Sequence, residues 1–152
     1  MTATNHALSG ALIGATISQP YLAIPLAFAS HFILDAIPHF GLDDVGGHSN
    51  IKNRKLFHRI LLLDALLLAI VFIWLLALGA SWLVFVCLIV AGSPDFVWAY
   101  RYILQEKLGK KSPRPMNGLN KLHASIQKQT INGAFTEVGV AIIFALLLSV
   151  KL

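Results

Sequence analysis

Residues 30–39 read Ser-His-Phe-Ile-Leu-Asp-Ala-Ile-Pro-His and close a long apolar stretch. His31 and Asp35 are four positions apart, so in a helix over residues 20–36 they lie one turn apart on the same face. This spacing is typical of two ligands of one metal ion. A capping or hydrogen-bonding role for the two side chains is the simpler alternative.

A proline sets the end of this helix. Pro38 disfavours helical backbone at Ile37, so the helix is predicted to end near Ala36. His39 follows the bend and is placed to turn back toward the same helix end. Three groups of metal-ligand type are therefore expected to converge there.

The composition indicates a polytopic membrane protein with a single domain. The chain has 152 residues, of which 57% are hydrophobic and 12% charged, and its mean hydropathy is +0.72. These values are too apolar for a soluble domain of this size. The single Cys87 lies in an apolar run, which excludes a disulfide framework and a cysteine-based metal site. The net charge of +5 comes from basic residues between apolar segments, which suits membrane topology better than nucleic acid binding.

The hydrophobic pattern predicts an all-α membrane bundle over residues 1–152. A short N-terminal helical hairpin precedes three longer transmembrane helices, with a surface helix before the last of them. The predicted ranges are 6–18 and 20–36 for the hairpin, 55–78, 81–104 and 131–150 for the spans, and 119–130 for the surface helix. The first helix is shorter than the ~20 residues that cross a bilayer. Gly10 and Gly14 on it form a G-x-x-x-G, which lets a partner helix approach closely.

The basic residues predict the orientation of the bundle. Eleven of the twelve lie in residues 52–59 or 101–128. Two spans separate these clusters, so both fall on one side, which the positive-inside rule makes cytoplasmic. Since the hairpin returns to the side on which it begins, the N-terminus is also expected in the cytoplasm. We therefore expect an integral protein of a prokaryotic-type inner (plasma) membrane.

The carboxylates inside apolar segments share one depth when residues are counted from the outer turns. Asp64 lies 15 residues before Gly79, Asp95 lies 16 residues after it, and Glu137 lies 15 residues before Leu152. At ~1.5 Å of rise per residue, all three lie roughly 22–24 Å from the outer surface. Several buried carboxylates together are costly unless a cation or partner neutralises them.

We therefore predict a divalent metal site near the cytoplasmic end of the bundle. His6 and His31 are level when counted from the hairpin turn, and His123 in the surface helix is placed to fold over the site. Residues 92–95, Gly-Ser-Pro-Asp, are expected to interrupt their span and open a cavity. The predicted metal ligands are His6, His31, Asp35, His39, Asp44, Asp64, Asp95 and His123, and the predicted catalytic carboxylates are Asp95 and Glu137.

Several of these carboxylates have a structural role as their alternative. Asp64 is placed to pair with Lys55 or Arg59, and Glu137 is a first-turn acid of the kind that the helix dipole favours. Asp95, after a proline, has the position of an N-cap. Asp44 belongs to the set because the polar, glycine-rich loop over residues 41–54 is able to reach the site.

The motifs resemble a family of small integral-membrane proteins classed as predicted membrane-bound metal-dependent hydrolases. They are His-Ala-Leu-x-Gly at residues 6–10, His-x3-Asp at 31–35 followed by Pro-His, and Pro-Asp at 94–95. More distantly, the His-x3-Asp pair is similar to helical ligand pairs of zinc-dependent phospholipase C and related single-strand-specific nucleases. The resemblance implies metal roles for His31 and Asp35 and, by analogy, for His6, His39, Asp95 and His123. The chain departs from the soluble enzymes in lacking a second clear His-x3-Asp/Glu pair.

These features predict a metal-dependent hydrolase of phosphoesters, with a phospholipid-like substrate at the cytoplasmic leaflet. Mixed histidine and carboxylate ligands suit Zn²⁺ best and Mn²⁺ next, whereas Mg²⁺ prefers oxygen ligands. The expected partners are membrane lipid and an anionic lipid or phosphoester, with no nucleic acid. One alternative is a non-enzymatic protein that binds or conducts a cation or proton through the same polar cluster. Another is a structural subunit whose cluster holds helices together.

Overall fold

The computed structural model describes residues 1–41, 51–106 and 118–152. Within these ranges 83% of the chain is helical, and six α-helices form the fold. They are α1 (Ala3–Thr16), α2 (Pro20–Asp35), α3 (Ile51–Ala77), α4 (Trp82–Glu106), α5 (Gly118–Ile126) and α6 (Ala134–Lys151), with a 3-10 turn over Ile131–Gly133. Two short strands, β1 (His39–Phe40) and β2 (Gln129–Thr130), pair in parallel. The predicted all-α class is confirmed.

Helix α1 has only 14 residues, and it packs against α2, α3, α4 and α6. Small residues allow its closest contact, which is with α4. A Cβ atom added at Gly10 would lie 2.2 Å from the carbonyl oxygen of Cys87, and one at Gly14 would lie 2.8 Å from that of Leu83. The two glycines of the G-x-x-x-G therefore bring the α1 and α4 backbones together.

Two helices in the described part of the chain are long and apolar enough to cross a membrane. They cover Lys55–Ala77, with mean hydropathy 2.9, and Ile131–Lys151, with mean hydropathy 2.1. Pro20–Asp35 and Trp82–Phe96 are shorter apolar helices. The expectation of three long spans beside a hairpin is therefore wrong, because the apolar part of α4 ends at Phe96, directly after the polar residues 92–95.

The predicted interruption at residues 92–95 is also wrong, because α4 continues through Pro94. Proline has no backbone N–H, so the carbonyl of Val90, four residues earlier, lacks its usual helical donor. The Ser93 hydroxyl donates to that carbonyl at 2.8 Å. Local side-chain bonding therefore keeps the helix continuous and places Asp95 on a regular helix face.

The segment after α5 is extended, where the sequence predicted that the surface helix continues to residue 130. Helix α5 ends at Ile126, and β2 follows it. The His39 N–H donates to the Lys128 carbonyl at 3.0 Å, and the Lys128 N–H donates to the Asp35 carbonyl at 3.3 Å. These bonds tie α5 to the end of α2, which is the region of the predicted metal site.

We predict that Gly10→Ala lowers the free energy of unfolding of the protein in detergent by about 1–3 kcal/mol, because the new methyl group overlaps the α4 backbone. Gly139→Ala in α6 is the matched control, since a Cβ there meets no atom within 4 Å. The control should be neutral or stabilising by up to about 1 kcal/mol. Equal melting temperatures for the two variants would contradict the packing of α1 on α4.

Candidate metal centre

The last turn of α2 supplies the first two ligand groups of the site. His31 and Asp35 are fully buried, and His31 Nε2 lies 3.3 Å from Asp35 Oδ2. The side chains share a helix face because they are four residues apart. The spacing that the sequence analysis singled out therefore does bring the imidazole and the carboxylate together.

A carbonyl of α4 fixes the orientation of the His31 ring. His31 Nδ1 lies 2.9 Å from the carbonyl oxygen of Ala91. A carbonyl only accepts hydrogen bonds, so Nδ1 donates to it, and in the neutral ring Nε2 is then the unprotonated nitrogen. Metal-binding histidines commonly have this arrangement, in which the outer nitrogen donates to a carbonyl or carboxylate.

Helix α5 closes the site with His123. Its Nε2 atom lies 2.5 Å from Asp35 Oδ2 and 3.1 Å from His31 Nε2. Gln127, one turn later, places its amide nitrogen 3.3 Å from Asp35 Oδ2 and 3.1 Å from His123 Nε2. The strand pairing that anchors α5 to the end of α2 thus also fixes His123 over the carboxylate.

Helix α4 contributes Asp95 from the open side of the site. Asp95 Oδ1 lies 3.7 Å from His31 Nε2, and Asp95 Oδ2 lies 3.9 Å from His6 Nε2. Its side chain is 28% exposed, whereas Asp35 is fully buried. Asp95 is therefore the carboxylate of the cluster that is most open to its surroundings.

One ligand atom from each of His31, Asp35, Asp95 and His123 lies within 4.8 Å of the others. Tetrahedral Zn²⁺, with bonds of ~2.0–2.2 Å, separates its ligand atoms by about 3.3–3.6 Å. The three distances from His31 Nε2 to His123, Asp35 and Asp95 are 3.1, 3.3 and 3.7 Å. His123 Nε2 and Asp35 Oδ2, at 2.5 Å, are closer than two ligands of one ion and form a direct contact. A cation that binds between them must move them about 1 Å apart, and with that movement the four residues fit a divalent cation.

His6 and His39 lie on the other side of Asp35. His6 Nε2 is 3.2 Å and His39 Nε2 is 4.0 Å from Asp35 Oδ1. The His6 ring stacks on His31, with 3.9 Å between the ring centroids. Both imidazoles are buried, and neither Nε2 atom has a hydrogen-bond partner among the described residues. Buried polar atoms are usually partnered, so these two nitrogens also fit a ligand.

The protonation of His39 suits metal binding. His39 Nδ1 donates to the Ile37 carbonyl at 2.8 Å, which leaves Nε2 unprotonated in the neutral ring. Burial lowers the pKa of the His39 imidazole, and the nearby N-terminal ammonium group lowers it further. The neutral form, which is the form that binds metal, is therefore favoured.

Asp64 and Glu137 have other partners in the structure. Asp64 accepts hydrogen bonds from the backbone N–H groups of Ala3 and Thr4 at 2.8 and 3.0 Å. Glu137 accepts from the Thr2 N–H at 3.1 Å, from the Thr2 hydroxyl at 2.8 Å and from the Asn5 amide at 2.5 Å. The first backbone N–H groups of a helix have no partner within it, and its dipole favours negative charge.

These bonds place two of the predicted site residues at the start of α1. The structure gathers His6, His31, Asp35, His39, Asp95 and His123 in one cluster, whereas Asp64 and Glu137 anchor the first turn of α1. Their assignment as ligand and catalytic carboxylate stays a prediction, and Asp44 lies outside the described residues. Because α1 begins at Ala3, the anchored turn is the one that carries His6 into the cluster.

Two contributions to the cluster were missed by the sequence analysis. One is the Ala91 carbonyl, which is a backbone group and therefore cannot be predicted from the pattern of side chains. The other is Gln127. It lies four residues after His123 in the predicted surface helix, and this spacing predicts that the two side chains share a helix face. The contact of the Met1 ammonium group with Asp35 Oδ1 was also not foreseen.

Comparisons of the chain with protein-family models, with curated proteins and with solved structures found no match. The resemblance drawn from the short motifs therefore stays a prediction.

We predict that Asp35→Ala removes all bound metal from protein purified in detergent, because the Asp35 carboxylate lies within 4.0 Å of all four imidazoles of the cluster. His31→Ala should remove at least half. Metal per chain is measured by plasma mass spectrometry after Zn²⁺ loading and dialysis. His58→Ala, which changes a histidine of α3 outside the cluster, should retain the wild-type content. Unchanged metal in Asp35→Ala would contradict the site.

Asp64→Asn and Glu137→Gln provide a contrast within the same experiment. Since these carboxylates bond to the backbone of α1, both variants should lower the melting temperature while keeping more than half of the metal. Loss of all metal without loss of stability would instead assign the two residues to the metal shell.

Proposed function

We propose that this protein is an integral membrane hydrolase that cleaves phosphoesters with the help of a divalent metal ion. The observation that carries the proposal is the convergence of four histidines and Asp95, from four helices and β1, around the buried Asp35 carboxylate. Zn²⁺ is the favoured ion and Mn²⁺ the second, because the donors are imidazole nitrogens and carboxylate oxygens.

The exposed surface supports a location within a membrane. Of an apolar 18-residue stretch in Lys55–Ala77 only 11% is buried, and of the corresponding stretch in Ile131–Lys151 only 17% is buried. Large side chains such as Ile70, Leu146 and Val150 are 61%, 62% and 83% exposed. A soluble monomer rarely exposes a continuous apolar surface of this extent, whereas lipid covers it without cost. We assign the protein to a prokaryotic-type inner membrane, with the N-terminus in the cytoplasm because the basic loops favour that side.

The residues of the cluster divide the chemical work. A divalent ion held by His31, His123 and Asp35 would lower the pKa of water and neutralise phosphate charge. Asp95 faces the open side and is placed to accept the proton of the attacking water. Gln127 holds His123 and Asp35 in register. Lys121 and Lys128 are exposed beside α5 and favour an anionic headgroup.

An apolar cavity of about 180 Å³ between α1, α2 and α6 supports a lipid as substrate. It is lined by Ser9, Leu12, Ile13, Ser30, Ile33, Leu34 and Phe144. Ser9 and Ser30 meet at 3.1 Å, and the Ser9 hydroxyl also donates to the His6 carbonyl, so the cavity adjoins the metal cluster. Its volume is below the ~300–1,000 Å³ of sites that enclose a whole small molecule. One segment of an acyl chain fits it better.

The cation-conducting alternative receives less support from the structure. The histidine and carboxylate side chains of α1, α2 and α4 whose contacts are described lie in the cluster. Residues 65–77 of α3 and 138–150 of α6 contain none. A conducting path needs polar groups along the whole span, whereas a hydrolytic site needs them at one depth.

We predict that the purified protein releases phosphate from dioctanoyl phosphatidate, that a chelator abolishes this activity, and that Zn²⁺ or Mn²⁺ restores it. Asp95→Asn should lower kcat about 10²–10⁴-fold, since an amide does not accept the proton. Ser125→Ala, on the exposed side of α5, should leave kcat unchanged. No hydrolysis of phosphatidate or of bis(p-nitrophenyl) phosphate by fully metallated protein would contradict the proposal.

The same assay tests the acyl-chain site. Ile33→Trp fills the mouth of the cavity and should raise KM for dioctanoyl phosphatidate at least fivefold, with little change for p-nitrophenyl phosphate. Ile73→Trp is the matched control, because both isoleucines are 65% exposed and Ile73 lies on α3 away from the cavity. Equal KM values for the two variants would separate the cavity from substrate binding.

A further inference from the structure

We infer that the cluster holds two divalent cations, with the Asp35 carboxylate shared between them. Position A is defined by His31, His123 and Asp35 Oδ2, and position B by His6, His39 and Asp35 Oδ1. The inference depends on the proposed metal-dependent function and concerns the number of ions that this function uses.

The two oxygens of Asp35 face different histidines. Oδ2 lies 3.3 Å from His31 Nε2 and 2.5 Å from His123 Nε2. Oδ1 lies 3.2 Å from His6 Nε2 and 4.0 Å from His39 Nε2. A carboxylate that bound a single ion would need only one of these two pairs of histidines beside it. The division of four imidazoles into two pairs, one at each oxygen, is the arrangement of a bridging ligand.

Position B has two buried nitrogen atoms that make no well-directed hydrogen bond in the described part of the protein. The Nε2 atoms of His6 and His39 are buried and without hydrogen-bond partners. Leaving such atoms unpaired in an apolar interior is costly. His39 Nδ1 donates to the Ile37 carbonyl, so Nε2 is the nitrogen that remains to bind a metal ion. Both positions therefore combine two imidazole nitrogens with one oxygen of a buried carboxylate.

The electrostatics of position B also favour a cation. The Met1 ammonium group contacts Asp35 Oδ1, which is the oxygen of this position. A positive charge therefore lies beside Oδ1, whereas the imidazoles of position A lie beside Oδ2. Binding of an ion at position B requires that the ammonium group withdraws, so that a doubly charged ion replaces one positive charge beside the Asp35 carboxylate.

Asp95 repeats the division seen in Asp35. Its Oδ1 atom lies 3.7 Å from His31 of position A, and its Oδ2 atom lies 3.9 Å from His6 of position B. The partly exposed Asp95 therefore faces both positions from the open side of the cluster. Two ions ~3.5–4 Å apart stabilise both the attacking and the leaving oxygen of a phosphoester displacement, which a single ion does less well.

The test is the metal content of the full-length protein, saturated with Zn²⁺ in detergent and dialysed. We expect two ions per chain in the wild type and one in His39→Ala, and His58→Ala is the control that keeps two. In Mn²⁺-loaded samples, electron paramagnetic resonance should show a spin-coupled pair in the wild type and isolated Mn²⁺ in His39→Ala. His6→Ala should behave as His39→Ala does, which guards against a folding defect in one variant.

The outcomes separate this inference from the proposed function. One ion per chain in the wild type, with His39→Ala unchanged, would overturn the second position and leave the metal-dependent hydrolase standing. No ion in the wild type would overturn both. Two uncoupled ions would overturn the bridging role of Asp35.

Discussion

The carboxylate of Asp35 is fully buried and has four imidazoles within 4.0 Å of its two oxygens. An isolated carboxylate in such a place would be strongly disfavoured, so the surrounding groups must compensate for its lost hydration. Helices α1, α2 and α5 and strand β1 each bring one imidazole to it. The arrangement of the bundle around α1 follows from this requirement, because α1 must lie deep enough for His6 to reach the carboxylate.

Contacts outside the cluster position the residues that surround Asp35. The glycines of α1 let it approach α4, which places His6 near Asp95, and the Ala91 carbonyl orients His31. Asp64 and Glu137 anchor the first turn of α1, and the pairing of β1 with β2 holds His39 and His123 at the end of α2. A site formed from rigid helix ends and short hydrogen bonds is prepared for a ligand before the ligand arrives.

The sequence was enough to predict the helical class and the proximity of His31, Asp35 and His39, because these follow from helical spacing and a proline. It also led to His6 and Asp95 through the count of depth along apolar helices, and to His123 through its place in the surface helix before the last span. It was not enough to separate Asp64 and Glu137 from the cluster. Depth gives no information on rotation about the helix axis, and the backbone N–H groups that bind these carboxylates are invisible in a sequence. The continuity of α4 through Pro94 depended on one Ser93 rotamer and was equally inaccessible.

X-ray absorption at the zinc edge tests the central claim most directly, because it reports the atoms around the ion in the intact protein. The account predicts a shell of nitrogen and oxygen donors at ~2.0–2.2 Å with the multiple-scattering pattern of imidazole, and no sulfur. That pattern should vanish in Asp35→Ala protein. A shell of oxygen atoms alone, as in a hydrated ion held at the surface, would contradict the claim that these histidines and Asp35 converge to bind metal.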